Sequence, residues 1–217
     1  MFVDGDAEVD ARFGTIPYLR ESVRLRTRLI DDFVRAALAR DVKQVVILGV
    51  GFDCRAQRMP EIATAGALVF EVDFPAQLAR KAERFARARV APVAWVRAVS
   101  CDFTAEDFDA SLSRDLVAAG LRRPDAIAFL WEGVVGYLDD AAVDRTFRFM
   151  AEFGAPGSAV VFNYSLNRFN PETLPARVQR AGFTNLNDDS LAAAHRHLLG
   201  AEPPDYAQLF RLAVAHT

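Results

Sequence analysis

The segment Gln44-Val45-Val46-Ile47-Leu48-Gly49-Val50-Gly51-Phe52-Asp53 is a short apolar run followed by a glycine-rich turn. From Val45 to Leu48 every position is apolar, not every second one, as expected of a strand buried on both faces in a parallel sheet. The two glycines free the turn from Cβ constraints and let another group approach the backbone closely. In open α/β sheets, ligands bind outside the carboxyl ends of the strands.

The same alternation extends in both directions. Upstream, the pattern is helical from Pro17 to about Arg40, with Leu25, Leu29, Phe33, Ala36 and Ala37 spaced for one face. Downstream, strands are predicted over 67–73, 93–99, 125–130, 157–164 and 208–215. Helices are predicted over 75–89, 105–119, 139–153, 172–181 and 189–199, with Asp139 as the cap of the third and a Gly182-Phe183 turn. Strands alternating with helices give an α/β domain with a parallel sheet. Residues 1–16 are polar and Gly/Asp-rich and are expected to be loosely held, leaving one domain over 17–217.

Composition narrows the function classes. The 217 residues are 52% hydrophobic and 25% charged, with a net charge of −3, so the chain can bury a core. This balance lacks the basic field of a dedicated nucleic-acid binder. No apolar run reaches the ~18 residues of a membrane span. The acidic N-terminus has no apolar signal region, so a cytoplasmic protein is expected. Cys54 and Cys101 make neither a disulfide framework nor a zinc pattern. Of the 26 basic residues only Lys43 and Lys81 are lysine. That bias reads first as base composition, although arginine is also the better fork for carboxylates and phosphates.

Four successive strand ends carry chemistry. Gly49 and Gly51 follow the first strand, Glu71 and Asp73 end the second, Asp102 follows the third and Glu132 the fourth. A carboxylate about 20 residues past the glycine turn can accept both hydroxyls of a ribose. An acidic rim suits a nucleoside with a cationic or neutral arm, and the chain has no phosphate-cradling G-x-x-x-x-G-K-[ST] loop. Bland alternatives stand beside each residue. Asp73 could cap the helix at Pro75, and Asp102 could be a turn residue before Thr104. A dinucleotide fingerprint would need a third small residue, a place held here by Cys54. The NAD(P)-dependent oxidoreductase reading is therefore weaker than a mononucleoside one.

The joint pattern resembles the leucine carboxyl methyltransferase-type family of class I S-adenosylmethionine-dependent methyltransferases. The matching pieces are Arg26-Thr27-Arg28-Leu29-Ile30-Asp31-Asp32, Gln44 to Arg55, Phe70 to Pro75 with Lys81, and Glu132 to Leu138. The resemblance implies a Rossmann-like domain with a mostly parallel seven-stranded sheet, helices on both faces, and S-adenosyl-L-methionine as cofactor. It implies that Arg26 reaches the cofactor's carboxylate and that Gly49 and Gly51 line the methionine side. Asp73 would hold the ribose hydroxyls, with Glu71 the lesser candidate. Asp102 would face the adenine amino group, the Phe103 backbone the ring nitrogen, and Glu132 the ammonium. Tyr137 would lie on the substrate side and join Arg26 as a candidate catalytic residue, its alternative being a core tyrosine. Arg55 could be a strut to Asp53 or Glu71. Cys54 departs from the family's usual threonine.

The acceptor is read as a small molecule, because little chain lies outside the matching pieces. A carboxylate acceptor is ionised at pH 7 and needs no base, whereas a hydroxyl is helped by one, most often histidine. The three histidines, His195, His197 and His216, all lie in the tail. His195 and His197 share no helix face and read as solvent-facing. A carboxylate is therefore favoured over a hydroxyl, and a non-catalytic adenosyl-ligand binder is the third reading. Phe162, Phe169, Phe183 and Phe210 could form an apolar substrate wall or a dimer contact. The oligomeric state is left open.

Overall fold

Strand β1 (Gln44–Leu48) is buried at all five positions, and the sheet is built outward from it. The computed structural model describes residues 18–217, so the expectation for residues 1–16 lies outside the described residues. Parallel neighbours flank β1 on both sides. They are β2 (Leu68–Asp73), with Val46 opposite Phe70, and β4 (Ile127–Trp131), with Val46 opposite Phe129. β3 (Val96–Ser100) extends the sheet beyond β2, and β5 (Ala159–Ser165) extends it beyond β4. The far edge is formed by β6 (Asn185–Ser190) and β7 (Phe210–His216), giving the order β3-β2-β1-β4-β5-β7-β6. Strand β7 runs antiparallel to both of its neighbours. The expected mostly parallel seven-stranded sheet is what the chain forms.

Two apolar layers hold the helices. On one face Val45 and Ile47 meet Ile30, Val34 and Ala37 of α1 (Leu19–Ala39). Met59 and Ile62 join them from the short helices α2 (Arg55–Arg58) and α3 (Pro60–Thr64). On the other face Val46 and Phe129 meet α5 (Phe108–Ala118) through Leu112 and Leu116. They meet α6 (Asp140–Phe153) through Phe147, and α7 (Leu174–Arg180) through Val178. Helix α4 (Pro75–Arg87) follows β2, and α8 (Leu191–Leu199) lies between β6 and β7. No helix among the described residues is long and apolar enough to cross a membrane.

Four expectations are corrected. The α1 stripe is Leu25, Ile30, Val34 and Ala37, while Leu29 and Phe33 are half-buried and Ala36 is exposed. Ile30, Val34 and Ala37 form the i, i+4, i+7 row that meets the sheet. Strand β6 was not foreseen, because Asn-Leu-Asn-Asp-Asp-Ser lacks apolar alternation and is ordered by pairing with β7. Phe162, Phe169 and Phe183 are buried around Phe147 and form core, not a substrate wall. Phe210, half-buried, lies beside Tyr18, with ring centroids 6.1 Å apart. His195 is buried, not solvent-facing, because α8 packs on α1 and Tyr18 Oη lies 2.9 Å from His195 Nδ1. His197 is exposed.

Asp139 caps α6, its carboxylate accepting the Ala142 N–H at 2.7 Å. That helix carries Phe147 and Met150 into the core. Asp139→Ala is expected to cost about 1 kcal/mol of stability, read from urea denaturation. An unchanged midpoint would remove the cap from the account.

Candidate active site

The turn after β1 is shaped by contacts on two sides. Gly49 has φ +72°, and a Cβ there would lie 2.3 Å from Val134 Cγ2 in the segment after β4. The two strand ends approach so closely that no side chain fits between them. Gly51 has φ +50°, and its N–H donates to Asp73 Oδ2 at 2.8 Å. The Phe74 N–H donates to Asp73 Oδ1 at 2.8 Å. Asp73 therefore straps the glycine turn to the end of β2, and no side chain caps α4. A carboxylate offers about four acceptor sites, so two remain for a ligand.

Glu132, at the end of β4, meets two arginines. Arg26 of α1 donates Nε to Oε1 at 2.6 Å, and Arg55 donates Nη1 to Oε2 at 2.8 Å. Burial by itself would raise the Glu132 carboxyl. Arg55 and Arg26 outweigh it and hold the group below the usual carboxylate range. Asp31 follows the same logic: burial would raise it, and Arg58 and Arg55 bring it down. Arg55 also bonds Asp53, through both its backbone N–H and its Nη1. The strut expected of Arg55 thus runs to Asp53, and to Asp31 and Glu132 as well, but not to Glu71.

These features line one two-lobed cleft. A lobe of about 480 Å³ is bounded by Arg26, Asp53, Arg55 and Glu132. A second, of about 440 Å³, is bounded by Asp73, Phe74, Phe103, Thr104, Tyr137 and Leu138. Gly49, Gly51, Gly133 and Val134 line both. Arg26, Gly49, Gly51, Asp73, Phe103, Glu132 and Tyr137 are thus brought together. Tyr137 ends a single helical turn, Val135–Tyr137, and is 88% exposed, so it is not a core tyrosine.

Two candidates stand apart from the cleft. Glu71 is buried and pairs with Lys81 at 2.7 Å. Its carboxyl is raised by burial, an effect Lys81 only partly offsets. Asp102 turns its carboxylate to the Thr104 N–H and hydroxyl, at 2.9 and 2.6 Å, the turn role weighed in the sequence. Sequence reasoning missed the supports of the segment after β4. Asn163 Oδ1 accepts the Gly133 N–H at 2.7 Å, and Arg168 donates to the Leu138 carbonyl at 2.8 Å and to Asp140 at 2.9 Å. Arg168 carries no pattern in the chain, but Asn163, a polar residue at the end of an apolar strand, was a readable signal.

Fold and cleft together define a Rossmann-like domain of the class I methyltransferase type. A DUF574 family protein from Streptomyces avermitilis MA-4680 has the same fold, with a TM-score of 0.66 at 17% identity over 99% of this chain and 91% of that one. A protein from Thermobifida fusca YX, described as a candidate methyltransferase, gives 0.61 at 19% identity over 97% and 87%. The family described as leucine carboxyl methyltransferase matches residues 3–151, and the chain belongs to it. A relative from Mycobacterium sp. (strain KMS), named as a candidate S-adenosyl-L-methionine-dependent methyltransferase, is 36% identical over 155 residues. The alignment covers 71% of this chain and 48% of that protein. A relative of the same description from Mycobacteroides abscessus is 32% identical over 198 residues, covering 91% and 59%. The chain spans about half the length of the curated relatives it matches.

Asp31 and Glu132 titrate lower in the folded chain than their ordinary values. The stability they contribute is present above about pH 4 and is lost as the pH falls through their lowered values. Glu71, raised by burial, works in the opposite sense. Asp31→Asn is expected to lower the melting temperature at pH 7 and to flatten its fall between pH 5 and 3. Scanning calorimetry across that range tests this, and an acid limb as steep as wild type would refute it.

Proposed function

We propose that the chain binds S-adenosyl-L-methionine along the two-lobed cleft and methylates an oxygen of a small-molecule acceptor, a carboxylate before a hydroxyl. The observation that carries this reading is the division of charge across two adjoining pockets that share Gly49, Gly51, Gly133 and Val134. An Arg26–Glu132 pair lies at one end and the strapped Asp73 carboxylate at the other. The residues fit the two ends of such a cofactor. Among the described residues Arg26 bonds Glu132 through Nε alone, leaving its Nη donors for a carboxylate, the pairing a guanidinium makes best. Glu132, kept ionised by its arginines, complements an ammonium. Asp73 retains acceptor sites for a vicinal diol. Gly49 and Gly51 leave the wall between the ends without side chains.

When bound, this cofactor supplies an electrophilic methyl group on a sulfonium sulfur. The chain's own task is then alignment, which can supply much of the rate enhancement in a displacement of this kind. Among the described residues, none lining either lobe is a histidine. His195 is spent on Tyr18. A carboxylate, already ionised at pH 7, asks for no base there. Tyr137, on the rim of the second lobe, is the side chain offered to the acceptor, with Thr104 and Phe103 closing the adenine side.

Calorimetry with S-adenosylhomocysteine tests the reading. Wild type is expected to bind it and to leave NADH unbound. Asp73→Ala is expected to bind at least tenfold more weakly, about 1.4 kcal/mol or more, for the loss of charge-assisted bonds to a diol. If neither S-adenosylhomocysteine nor S-adenosylmethionine binds wild type, the reading falls. Equal affinity in Asp73→Ala would overturn the ribose assignment alone. A methylated product that survives mild alkali would exclude a carboxyl ester, and binding without turnover over an acceptor panel would favour a non-catalytic role.

A further inference from the structure

Arg55 is the most enclosed cation of the cleft, its side chain 4% exposed, and it meets carboxylates from three separate parts of the chain. Nε donates to Asp31 of α1 at 2.8 Å, while Nη1 donates to Glu132 at 2.8 Å and to Asp53 of the glycine turn. Asp31 is gripped from the other side by Arg58, at 2.6 and 2.7 Å. The Arg55 fork is therefore fixed in its own orientation before it touches Glu132. Each oxygen of Glu132 then has a different arginine, Oε1 with Arg26 and Oε2 with Arg55. With Arg26 alone, the carboxylate could rotate about its last bond. With both, it cannot do so without breaking a contact.

We propose that Arg55 is a positioning residue that acts through Glu132, fixing that carboxylate beside Arg26 so that the pair is preset for the charged amino-acid end of the cofactor. This rests on the cleft being the S-adenosylmethionine site. Support of this kind, from a group that holds the side chain touching the ligand, is how sites are held to tight geometry. Among the described residues, the charged groups facing Glu132 are Arg26 from α1 and Arg55 from α2. Asp31, Asp53 and Arg58 stand behind Arg55.

The test is a double-mutant cycle for S-adenosylhomocysteine affinity on the full chain, using Arg55→Gln, Glu132→Gln and the double variant. Each single change is expected to weaken binding tenfold or more. The double variant is expected to be within about threefold of the weaker single, because coupled residues do not add. Wild-type affinity should stay flat from pH 8 to 5. In Arg55→Gln it should fall as the pH drops through that window, as the half-supported, buried Glu132 takes up a proton. Arg55→Lys, which keeps the charge but not the fork, should lie between the two.

Additive losses, wild-type affinity in Arg55→Gln, or a flat pH profile in that variant would each overturn the proposal. If circular dichroism shows Arg55→Gln unfolded, Arg55→Lys with Glu132→Gln supplies the same cycle. A ¹³C NMR titration of the Glu132 carboxyl needs no ligand and separates the two readings. If wild type binds no S-adenosylhomocysteine, the function assigned to the cleft fails. Arg55's hold on Glu132 is then judged by whether that carboxyl titrates higher in the variants, and an unchanged titration sinks it.

Discussion

Removing a guanidinium from water costs several kcal/mol, returned only where carboxylates meet it with good geometry. At Arg55 that condition draws Asp31, Asp53 and Glu132 to one point, from α1, the glycine turn and the end of β4. Arg26 and Arg58 complete the cluster, so three carboxylates face three guanidinium groups. Helix α1 must lie where Asp31 and Arg26 both reach, and the turn must curl until Asp53 does. The apolar layer of Ile30, Val34, Val45 and Ile47 fixes the same helix against the same strand. Packing and charge thus agree on where α1 sits, and a cluster so enclosed would be a liability if they did not.

The other end of the cleft reaches a similar fixity by different means. Among the described residues Asp73 has no cationic partner, and it is held by two backbone N–H groups, those of Gly51 and Phe74. Backbone donors cannot rotate away, so the carboxylate is oriented without being neutralised. One end of the cleft therefore presents opposite charges already matched to each other, and the other an acceptor group with spare lone pairs. Between them, Gly49 lies so close to Val134 that no side chain fits. A ligand spanning the cleft has to carry paired charges at one end and hydrogen-bond donors at the other.

Much of this was legible in the chain, and for physical reasons. A run apolar at every position, Val45 to Leu48, has few homes other than the middle of a parallel sheet. The strand-end residues of β1, β2 and β4 converge because topology brings strand ends together. What stayed illegible depended on contacts distant in sequence. Asn185–Ser190 becomes a strand only because β7 is beside it. Asp102 gives one carboxylate oxygen to the turn at Thr104, a bond that depends on local geometry and not on the strand-end pattern. Glu71 looked like a strand-end acid but faces inward, toward Lys81. His195 looked like a surface histidine until α8 met α1.

The segment after β4 shows where sequence patterns stop carrying information about specificity. Its backbone is tied down by side chains from elsewhere, Asn163 to the Gly133 N–H and Arg168 to the Val135 and Leu138 carbonyls. Because those bonds go to backbone groups, they constrain the path of residues 133–138 while leaving the identity of the projecting side chains free. Val134 is committed by its contact with Gly49, but Tyr137 projects into solvent at the rim. A rim built this way can change what it recognises without disturbing the ion cluster or the strap on Asp73. The strand-end residues were therefore readable from motifs, and the rim at Tyr137 is written in side chains that nothing behind them dictates.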